Sequence, residues 1–474
     1  MANSDHLAGK LVAGVDSSTQ SVKVVIRHAD TGELIRQGRA PHPDGTEVDP
    51  AHWLSALNTA IAAAGGIDDV SAISIGGQQH GMVTLDASGN VIRPALLWND
   101  TRSATSADDL NTELGGPAKT AEQVGSVLVA AFTAPKLRWV ADNEKENAAK
   151  VAAVALPHDW LSWQMQGGKD FDLLFTDRSD ASGTGYFNPV TSTYRHDILS
   201  SALRTDRAII APRIIEPAAF GGKTLSGIPI AAGAGDNAAA ALGVQAEPGD
   251  VVVSLGTSGT AFAISDTPTH DPSGAVAGFA DATGRYLPLV CTLNAARILD
   301  AATRILGKSY EEVGQLALAA TPGAHGLTLL PYFEGERTPN RPNAKGVFAG
   351  MNLTNSNPED IARAMIEGML CGLVDAVDAL VDLGVDVKRV LLIGGAAKNP
   401  AISAIASALF GREVLVPQPG EYVADGAARQ AAWALLGTAT APKWNLGEVH
   451  SALAPATPEV VAQYRSLRDR TQTW

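Results

Sequence analysis

The sequence predicts a duplicated α/β protein, and three features of it carry this prediction. Its length of 474 residues exceeds what one ordinary hydrophobic core organises and suits two domains of similar size. Short apolar runs alternate with helical stretches along the chain. One order of elements occurs twice: a strand, a hydroxyl-rich turn, a second strand, a later helix and a strand that ends in Gly-Gly. Ligands of such folds lie at strand carboxyl ends, so we expect the site in a cleft between the halves.

The first copy of this pattern lies near the N-terminus. Its apolar periodicity predicts strands over 11–15, 22–27, 33–39 and 70–75, and a helix over 49–64. Asp49 is the expected N-cap of the helix, with Pro50 in its first turn. The last strand leads into Gly76-Gly77.

The second copy lies in the C-terminal half. Its elements are predicted strands over 251–255, 261–265 and 387–393, and a long amphipathic helix over 358–383. The turn between its first two strands reads Gly-Thr-Ser-Gly-Thr, and its last strand leads into Gly394-Gly395. We place the boundary between the two domains at about residue 245, which gives domains of residues 1–245 and 246–474.

Composition excludes several classes of function. Lys plus Arg total 36 against 50 Asp plus Glu, a net charge of −14, and no polybasic run relieves it. Nucleic acid and anionic membranes are therefore not expected as partners. Two cysteines are too few for a disulfide framework, the N-terminus has no signal peptide pattern, and no apolar run could span a bilayer. We expect a cytoplasmic protein, whose oligomeric state, a homodimer included, the sequence leaves open.

The two turns predict phosphate binding. The first follows Asp16 and reads Ser-Ser-Thr-Gln-Ser, and the second is 256–260. Exposed backbone N–H groups and hydroxyls in such turns suit phosphate oxygens. A tight hairpin whose side chains merely stabilise the turn is the better explanation of a single copy, but two copies at matching positions favour the phosphate. Asp16 would repel phosphate unless a cation such as Mg²⁺ lay between them, and Lys23 could add a positive charge.

Asp236 is the candidate general base. It lies in the stretch Gly-Ala-Gly-Asp-Asn-Ala-Ala at 233–239, where a substrate hydroxyl could approach a carboxylate at a helix N-terminus. In a simpler interpretation, Asp236 caps a helix that begins at Asn237 or Ala238. The match of this stretch to a dinucleotide fingerprint is weak, because it lies in the middle of the chain.

Three other stretches supply groups for the same site. The turn 394–400 lets a flat ligand such as adenosine approach the backbone, although an ordinary strand-to-helix turn would look the same. The stretches 77–81 and 98–100 contribute hydrogen-bonding groups and an aromatic wall, and they matter only if they lie in one cleft. Their candidate residues are Gln79, His80, Trp98 and Asp100.

Together these stretches resemble the FGGY family of carbohydrate kinases over nearly the whole chain. The matching motifs are DSSTQSVK from Asp16, GQQHG from Gly77, WND from Trp98, GAGDNA from Gly233, LGTSG from Leu255, GERTP from Gly335 and RAMIEG from Arg363. The chain departs from the family pattern at Ala396-Ala397 and at 340–343.

The resemblance implies two actin-like, ribonuclease H-like ATPase domains with a catalytic cleft between them. Residues 1–245 would bind the sugar and supply the base, and residues 246–474 would bind the nucleotide. It implies Asp236 and Asp16 as catalytic groups, Asp16 near Mg²⁺, and ATP as phosphoryl donor. The substrate contacts would be Gln79, His80, Trp98, Asp100 and Asn237. The nucleotide contacts would be Ser17, Thr19, Lys23, Gly256, Thr257, Gly394, Gly395, Ala396 and Asn399.

The expected reaction is the phosphorylation of a ketopentose, with D-xylulose and its C5 hydroxyl as first choice. Because the transition state of phosphoryl transfer is loose, a carboxylate of ordinary pKa is expected to suffice as base. The alternatives are another ketopentose such as ribulose, a ribitol-like polyol, or an actin-like ATPase without a sugar substrate. A Rossmann dehydrogenase is a further hypothesis, which failure to bind NAD would remove.

Overall fold

The structure is a computed structural model that describes residues 9–472. The chain forms two compact units. The first comprises the chain up to Ala246 together with Asp266–Leu287 and Gly420–Asn445. The second comprises Glu247–Ser265, Pro288–Pro419 and the chain from Leu446 onward. Two segments beyond residue 245 therefore pack with the first unit, and the single boundary at residue 245 stays a prediction.

Up to residue 246 the chain contains fifteen strands and nine α-helices among the described residues. The strands are β1 Leu11–Ser17, β2 Ser21–His28, β3 Leu34–Pro41, β4 Glu47–Val48, β5 Val70–Gly77, β6 Val83–Leu85, β7 Ala95–Leu96, β8 Ala153–Ala155, β9 Phe175–Thr176, β10 Phe187–Asn188, β11 Thr193–Tyr194, β12 Arg213–Ile214, β13 Phe220–Lys223, β14 Pro229–Ala231 and β15 Ala234–Gly235. The helices are α1 Pro50–Ala63, α2 Ala104–Glu113, α3 Pro117–Val124, α4 Thr133–Asn143, α5 Lys145–Lys150, α6 Pro157–Met165, α7 Arg178–Ala181, α8 His196–Ala202 and α9 Asp236–Gly243.

From residue 247 the chain adds nine strands and six α-helices within the described part. The strands are β16 Asp250–Leu255, β17 Gly259–Ala263, β18 Ala277–Ala280, β19 Tyr286–Thr292, β20 Thr328–Leu330, β21 Val347–Ala349, β22 Arg389–Ile393, β23 Val414–Pro417 and β24 Val449–Ala452. The helices are α10 Ala296–Leu306, α11 Tyr310–Ala319, α12 Pro358–Asp382, α13 Pro400–Phe410, α14 Tyr422–Leu436 and α15 Pro458–Arg470.

The first unit is built on a sheet with the strand order β13-β14-β5-β1-β2-β3, and β15 also pairs with β5. Strands β1 and β2 are antiparallel, whereas β1 and β5 are parallel. Their apolar side chains pack on α1, where Asp49 is the N-cap and accepts the N–H of Ala51, as predicted. The carboxyl ends of β1, β5 and β15 therefore lie at one edge of this sheet.

Helix α14 covers the other face of this sheet through small residues. A Cβ atom added to Gly14 in β1 would lie 2.0 Å from the carbonyl oxygen of Ala424 and 2.4 Å from the nitrogen of Ala428. Only a strand without a side chain at position 14 lets the backbones approach so closely. This packing explains why residues 420–445 belong to the first unit.

The second unit repeats the central arrangement. Its sheet contains the strand order β19-β17-β16-β22-β23-β24. Strands β16 and β17 are antiparallel, and β16 and β22 are parallel, as β1, β2 and β5 are in the first unit. The predicted duplication of strand, turn, strand and later Gly-Gly strand is confirmed. Among residues 9–472 no helix has the length and apolar character needed to cross a membrane.

Candidate active site

Asp16 lies at the carboxyl end of β1, opposite Gly76 of β5 and Lys23 of β2. Its side chain is buried, and its two oxygens accept hydrogen bonds from the Ser18 hydroxyl and, at 3.4 Å, from the Lys23 ammonium. Lys23 also contacts Glu421 at 2.6 Å. Burial raises the pKa of Asp16 above its ordinary value, although Lys23 and Ser18 act against this.

Asp236 is the first residue of α9, directly after β15. Its position is set by the pairing of β15 with β5, in which Ala234 lies opposite Gly76 and Gly235 opposite Gly77. Asp236 and Asp16 therefore reach the same edge of the sheet. One Asp236 oxygen accepts the backbone N–H of Asn237 at 2.8 Å and its side-chain amide at 2.9 Å.

The structure corrects two expectations for Asp236. The helix begins at Asp236 and its N-cap is Gly235, so the interpretation of Asp236 as the cap is wrong. Removal from water, and next the charge of Asp16, raise the pKa of Asp236 to about 7 from 3.8, where an ordinary value was expected. A carboxylate with this pKa takes up a proton readily near neutral pH.

Gln79 and His80 follow β5 and are both buried. The Gln79 side-chain amide donates to the carbonyl oxygen of Ser179 at 3.1 Å. His80 has a left-handed backbone with φ 69°, and its Nδ1 lies 2.7 Å from the carbonyl oxygen of Gly183, so Nδ1 carries a proton. The His80 ring packs against Phe132 and Phe279, with centroid distances of 4.8 and 5.6 Å.

Thr19 connects three of the predicted motifs. The Trp98 indole donates to the Thr19 hydroxyl at 2.8 Å, and Thr19 donates to Gln78 at 3.3 Å. The opening turn, the end of β5 and the loop of Trp98 are thus joined within the first unit. Ser17, by contrast, is fully buried, and its hydroxyl has no hydrogen-bond partner among the described residues.

Asp100 is buried and holds its own loop. One oxygen accepts the Thr46 hydroxyl at 2.8 Å, and the other accepts the Arg102 backbone N–H at 3.0 Å and its Nε at 2.9 Å. Burial raises the pKa of Asp100, but the hydrogen bonds from Arg102 and Thr46 outweigh it and lower the pKa below its usual value. These contacts orient the 98–102 loop that carries Trp98.

The remaining candidates lie in the second unit, at the carboxyl ends of β16 and β22. Gly256 and Thr257 are exposed in the turn between β16 and β17. Gly394 has φ 99°, and a Cβ there would lie 2.5 Å from the carbonyl oxygen of Leu255, so the two turns are neighbours. Gly395 is exposed, with open space where a side chain would be, and Ala396 is half-buried.

Asn399 has a structural task in this turn. Its side chain caps α13 by accepting the N–H of Ala401 at 3.0 Å and donates to the carbonyl oxygen of Tyr310 at 2.8 Å. The side-chain amide is therefore engaged with α11 and α13, and a nucleotide contact of Asn399 stays a prediction.

Sequence reasoning missed four residues that support the site. The Ser179 hydroxyl accepts the N–H of Gly235 at 3.1 Å, and the Lys136 ammonium donates to the His80 carbonyl oxygen at 2.7 Å. His158 and Asp180 are fully buried beside these groups. For Ser179 and Asp180 the available signal was the run of polar residues at 176–184, which resembles an exposed loop in sequence but is buried throughout. The sequence offers no such signal for Lys136 and His158.

Comparison with known proteins identifies the family. The N-terminal domain of the FGGY family of carbohydrate kinases matches residues 11–243, and its C-terminal domain matches residues 251–435. A xylulose kinase of Streptomyces coelicolor is 43% identical over 92% of this chain and 91% of its own length.

Solved structures agree with this match. The crystal structure of a xylulose kinase from Bifidobacterium adolescentis superposes with a TM-score of 0.90 at 47% identity, covering 97% of this chain and 99% of that one. A Plasmodium falciparum glycerol kinase, 18% identical, shares the fold with a TM-score of 0.83 and covers 98% of this chain and 99% of its own. The two sheet-centred units are actin-like, ribonuclease H-like ATPase domains, and the chain belongs to the FGGY family of carbohydrate kinases.

Proposed function

We propose that this chain phosphorylates D-xylulose with ATP to give D-xylulose 5-phosphate. The relatives named xylulose kinase, at 43% and 47% identity over nearly the whole chain, support the substrate. The single observation that carries the chemistry is Asp236. It is a carboxylate with a pKa of about 7 at the edge of the sheet where Asp16 also lies.

In the proposed reaction Asp236 accepts the proton of the C5 hydroxyl. The hydroxyl oxygen forms a bond to the γ-phosphorus of ATP while the bond from that phosphorus to the ADP oxygen breaks. Little covalent chemistry is required of the protein, because phosphoryl transfer depends on in-line positioning and on neutralising charge. Gln79, His80, Trp98, Asp100 and Asn237 orient the sugar, with His80 held by Gly183 and Lys136.

The nucleotide contacts are proposed from the turns. The backbone N–H groups at Gly256 and Thr257, with the Thr257 hydroxyl, suit phosphate oxygens. The further donors are the Lys23 ammonium and the backbone N–H groups of Ser17 and Thr19, since the Thr19 hydroxyl already donates to Gln78. The exposed backbone of 394–396 suits the flat face of adenosine, with Asn399 shaping the turn. Residues 1–245 would then serve the sugar, the base and part of the phosphate contacts, and residues 246–474 the rest of the nucleotide.

Asp16 fits a Mg²⁺ ion. Lys23 is the one cation that contacts Asp16 and Glu421 among the described residues, and after burial the charge of Asp16 is the next cause that raises the pKa of Asp236, so a further cation would relieve repulsion at this edge of the sheet. Carboxylate oxygen is a preferred ligand of Mg²⁺. A bound Mg²⁺ would neutralise phosphate charge. The sequence has only two cysteines, too few for a disulfide framework, which agrees with the cytoplasm as location.

A coupled assay of ADP release tests the proposal. Purified protein with Mg·ATP is offered D-xylulose, D-ribulose, L-ribulose, ribitol and glycerol, and the product is identified by ³¹P NMR. We expect kcat/KM to be highest for D-xylulose. If kcat/KM is higher for another acceptor, that acceptor and not D-xylulose is the substrate. If ADP is released equally fast without an acceptor, the protein is an ATPase and not a sugar kinase.

A further inference from the structure

A buried group of charged side chains lies beside the loop that carries Asp236. The His158 Nε2 is 3.4 Å from an Asp159 oxygen, 3.4 Å from an Asp177 oxygen and 3.3 Å from an Asp180 oxygen. All four side chains are almost completely buried. We call these four residues the His158 cluster.

The His158 cluster contacts the Asp236 loop and the end of β5 directly. A Cβ added to Gly233 would lie 2.9 Å from the His158 Nδ1, and one added to Gly77 would lie 3.0 Å from the His158 Cβ. The imidazole therefore packs where Gly233 has no side chain, and the Cβ and main chain of His158 pack where Gly77 has none. A displacement of His158 would disturb the backbone that leads to Gln79 and Asp236.

Helix α7 makes the second link between the cluster and the site. Asp177 caps this helix by accepting the N–H groups of Ser179 at 2.7 Å and Asp180 at 3.0 Å. Ser179 in turn accepts the N–H of Gly235 through its hydroxyl and the Gln79 amide through its carbonyl, both at 3.1 Å. The position of α7 thus sets the position of both groups.

The carboxyl groups around His158 favour its positively charged form. Three carboxyl groups face it, Asp159 from α6, Asp177 at the N-cap of α7 and Asp180 from α7, and the titratable groups near these are Tyr186, Tyr194 and Asp236. Burial lowers the pKa of His158, but the surrounding carboxylates outweigh this and raise it to about 10. Burial also raises the pKa of Asp159 to about 6 and that of Asp180 well above its usual value. Removing the imidazolium would leave buried carboxylates uncompensated, which is costly.

We propose that His158 is a positioning residue of the phosphoryl transfer: its imidazolium holds α6 and α7 together by pairing with three buried carboxylates, and so fixes Asp236 and Gln79. The inference rests on the proposed role of Asp236 as base. The same side chains could in principle ligate a metal ion, since His158, Asp159 and Asp180 present ligand atoms within 4.8 Å of one another. A metal ion would displace the imidazole proton, because ligation requires the neutral form, so a bound metal and the proposed ion pairs exclude each other.

A double-mutant cycle of His158→Gln and Asp180→Asn tests the proposal. Asp180 is chosen because its carboxylate oxygens accept no hydrogen bond in the described structure, so Asn removes charge without removing a cap. His158→Gln alone should lower the thermal unfolding midpoint by roughly 5 °C or more. It should lower kcat for D-xylulose by about 10-fold or more, with the KM for ATP within about two-fold of the wild type, because the base is misplaced and the nucleotide turns are not.

In the Asp180→Asn background the same change should cost much less, because one carboxylate fewer needs compensation. His325→Gln is the matched control: its ring lies 3.0 Å from Asp360, but the side chain is 51% exposed, so little change is expected in midpoint or kcat. If His158→Gln does not fold, Asp180→Asn and the double variant are compared instead.

Three results would overturn the proposal. The first is that His158→Gln has effects no larger than those of His325→Gln. The second is that His158→Gln has equal effects in both backgrounds, or that the double variant also fails to fold. The third is that the wild type contains a stoichiometric metal ion that the His158→Gln variant lacks. Failure of the proposed function is distinguishable, because the unfolding midpoints need no substrate and an inactive wild type would show it directly.

Discussion

At the scale of single residues, the role of Asp236 is tested by Asp236→Asn, which keeps the size of the side chain and removes the proton acceptor. We expect kcat to fall roughly 10²-fold or more, as general-base losses do, with nucleotide affinity little changed. Steady-state kinetics with D-xylulose and titration with ADP measure the two quantities. Activity within a few-fold of the wild type would rule out Asp236 as base.

The pKa of Asp236 predicts how activity depends on pH. Only the carboxylate accepts a proton, and its pKa is raised to about 7, so kcat/KM for D-xylulose should rise with pH and level off above about 7. In Asp236→Asn this rising limb should be absent. A flat wild-type profile between about pH 5 and about pH 9 would contradict the prediction.

The raised pKa of Asp236 also predicts that the stability of the fold decreases as pH rises, whereas activity increases. The folded state holds the Asp236 proton more tightly than the unfolded state, whose pKa is near 3.8, so the stability it contributes is complete below about pH 3.8 and is lost as pH rises through about 7. Asp236→Asn should therefore raise the unfolding midpoint at about pH 8 and leave it unchanged near pH 4. An equal rise at both pH values would point to a cause other than the charge.

His80 is expected to determine sugar binding. His80→Asn keeps a residue that tolerates the left-handed backbone at φ 69° but removes the ring packed on Phe132 and Phe279. The KM for D-xylulose should rise by about 10-fold or more, because polar groups of the bound sugar lose their hydrogen-bond partner. The KM for ATP should change little, because His80 is proposed to contact only the sugar. A change mainly in the KM for ATP would move His80 to the nucleotide site.

At the scale of elements, the close packing of α14 on β1 predicts that Gly14 tolerates no side chain. Gly14→Ala would place a Cβ 2.0 Å from the Ala424 carbonyl oxygen, and we expect a loss of about 3 kcal/mol in the free energy of unfolding. The matched control is Gly372→Ala within α12, whose Cβ would meet only the Tyr464 hydroxyl, at 3.6 Å. It should gain up to about 1 kcal/mol from helix propensity. Urea unfolding of both variants measures this, and equal midpoints would contradict it.

The elements show what the sequence could and could not predict. Apolar periodicity predicted β1, β5, α1 and α12 to within two residues at their ends, because each has one apolar pattern and a clear cap or Gly-Gly end. It could not predict that α14 packs with the first unit, because an alanine-rich helix fits any flat sheet surface and only the glycine opposite selects one. The His158 cluster was missed for a related reason: buried charges have no periodicity, and two of the three carboxyl groups, Asp177 and Asp180, belong to a later element of the chain.

At the scale of the whole molecule, duplication is the property that linked sequence to function. In each copy two parallel strands end beside a hydroxyl-rich turn; these strands are β1 and β5 in the first copy and β16 and β22 in the second. One sequence pattern therefore predicted both groups of site residues. The pKa values were not predictable in the same way. The rise for Asp236 depends on burial and on Asp16, which is 220 positions away in the chain and is brought near only by the sheet.

The last prediction concerns the stability of the whole chain with its ligands. A ligand that binds only the folded protein stabilises it by about 2.7 kcal/mol at 100 times its Kd, so ADP with D-xylulose should raise the unfolding midpoint. If Asp16 holds Mg²⁺, the rise should be larger with Mg²⁺ than with EDTA, since the cation relieves the repulsion between Asp16, Asp236 and the phosphates. Asp16→Asn should lose this Mg²⁺-dependent part and keep the part due to sugar. Calorimetric scans of both proteins with and without Mg²⁺ measure the difference. If the unfolding midpoint of the liganded wild type is the same with and without Mg²⁺, Asp16 is not a ligand of Mg²⁺.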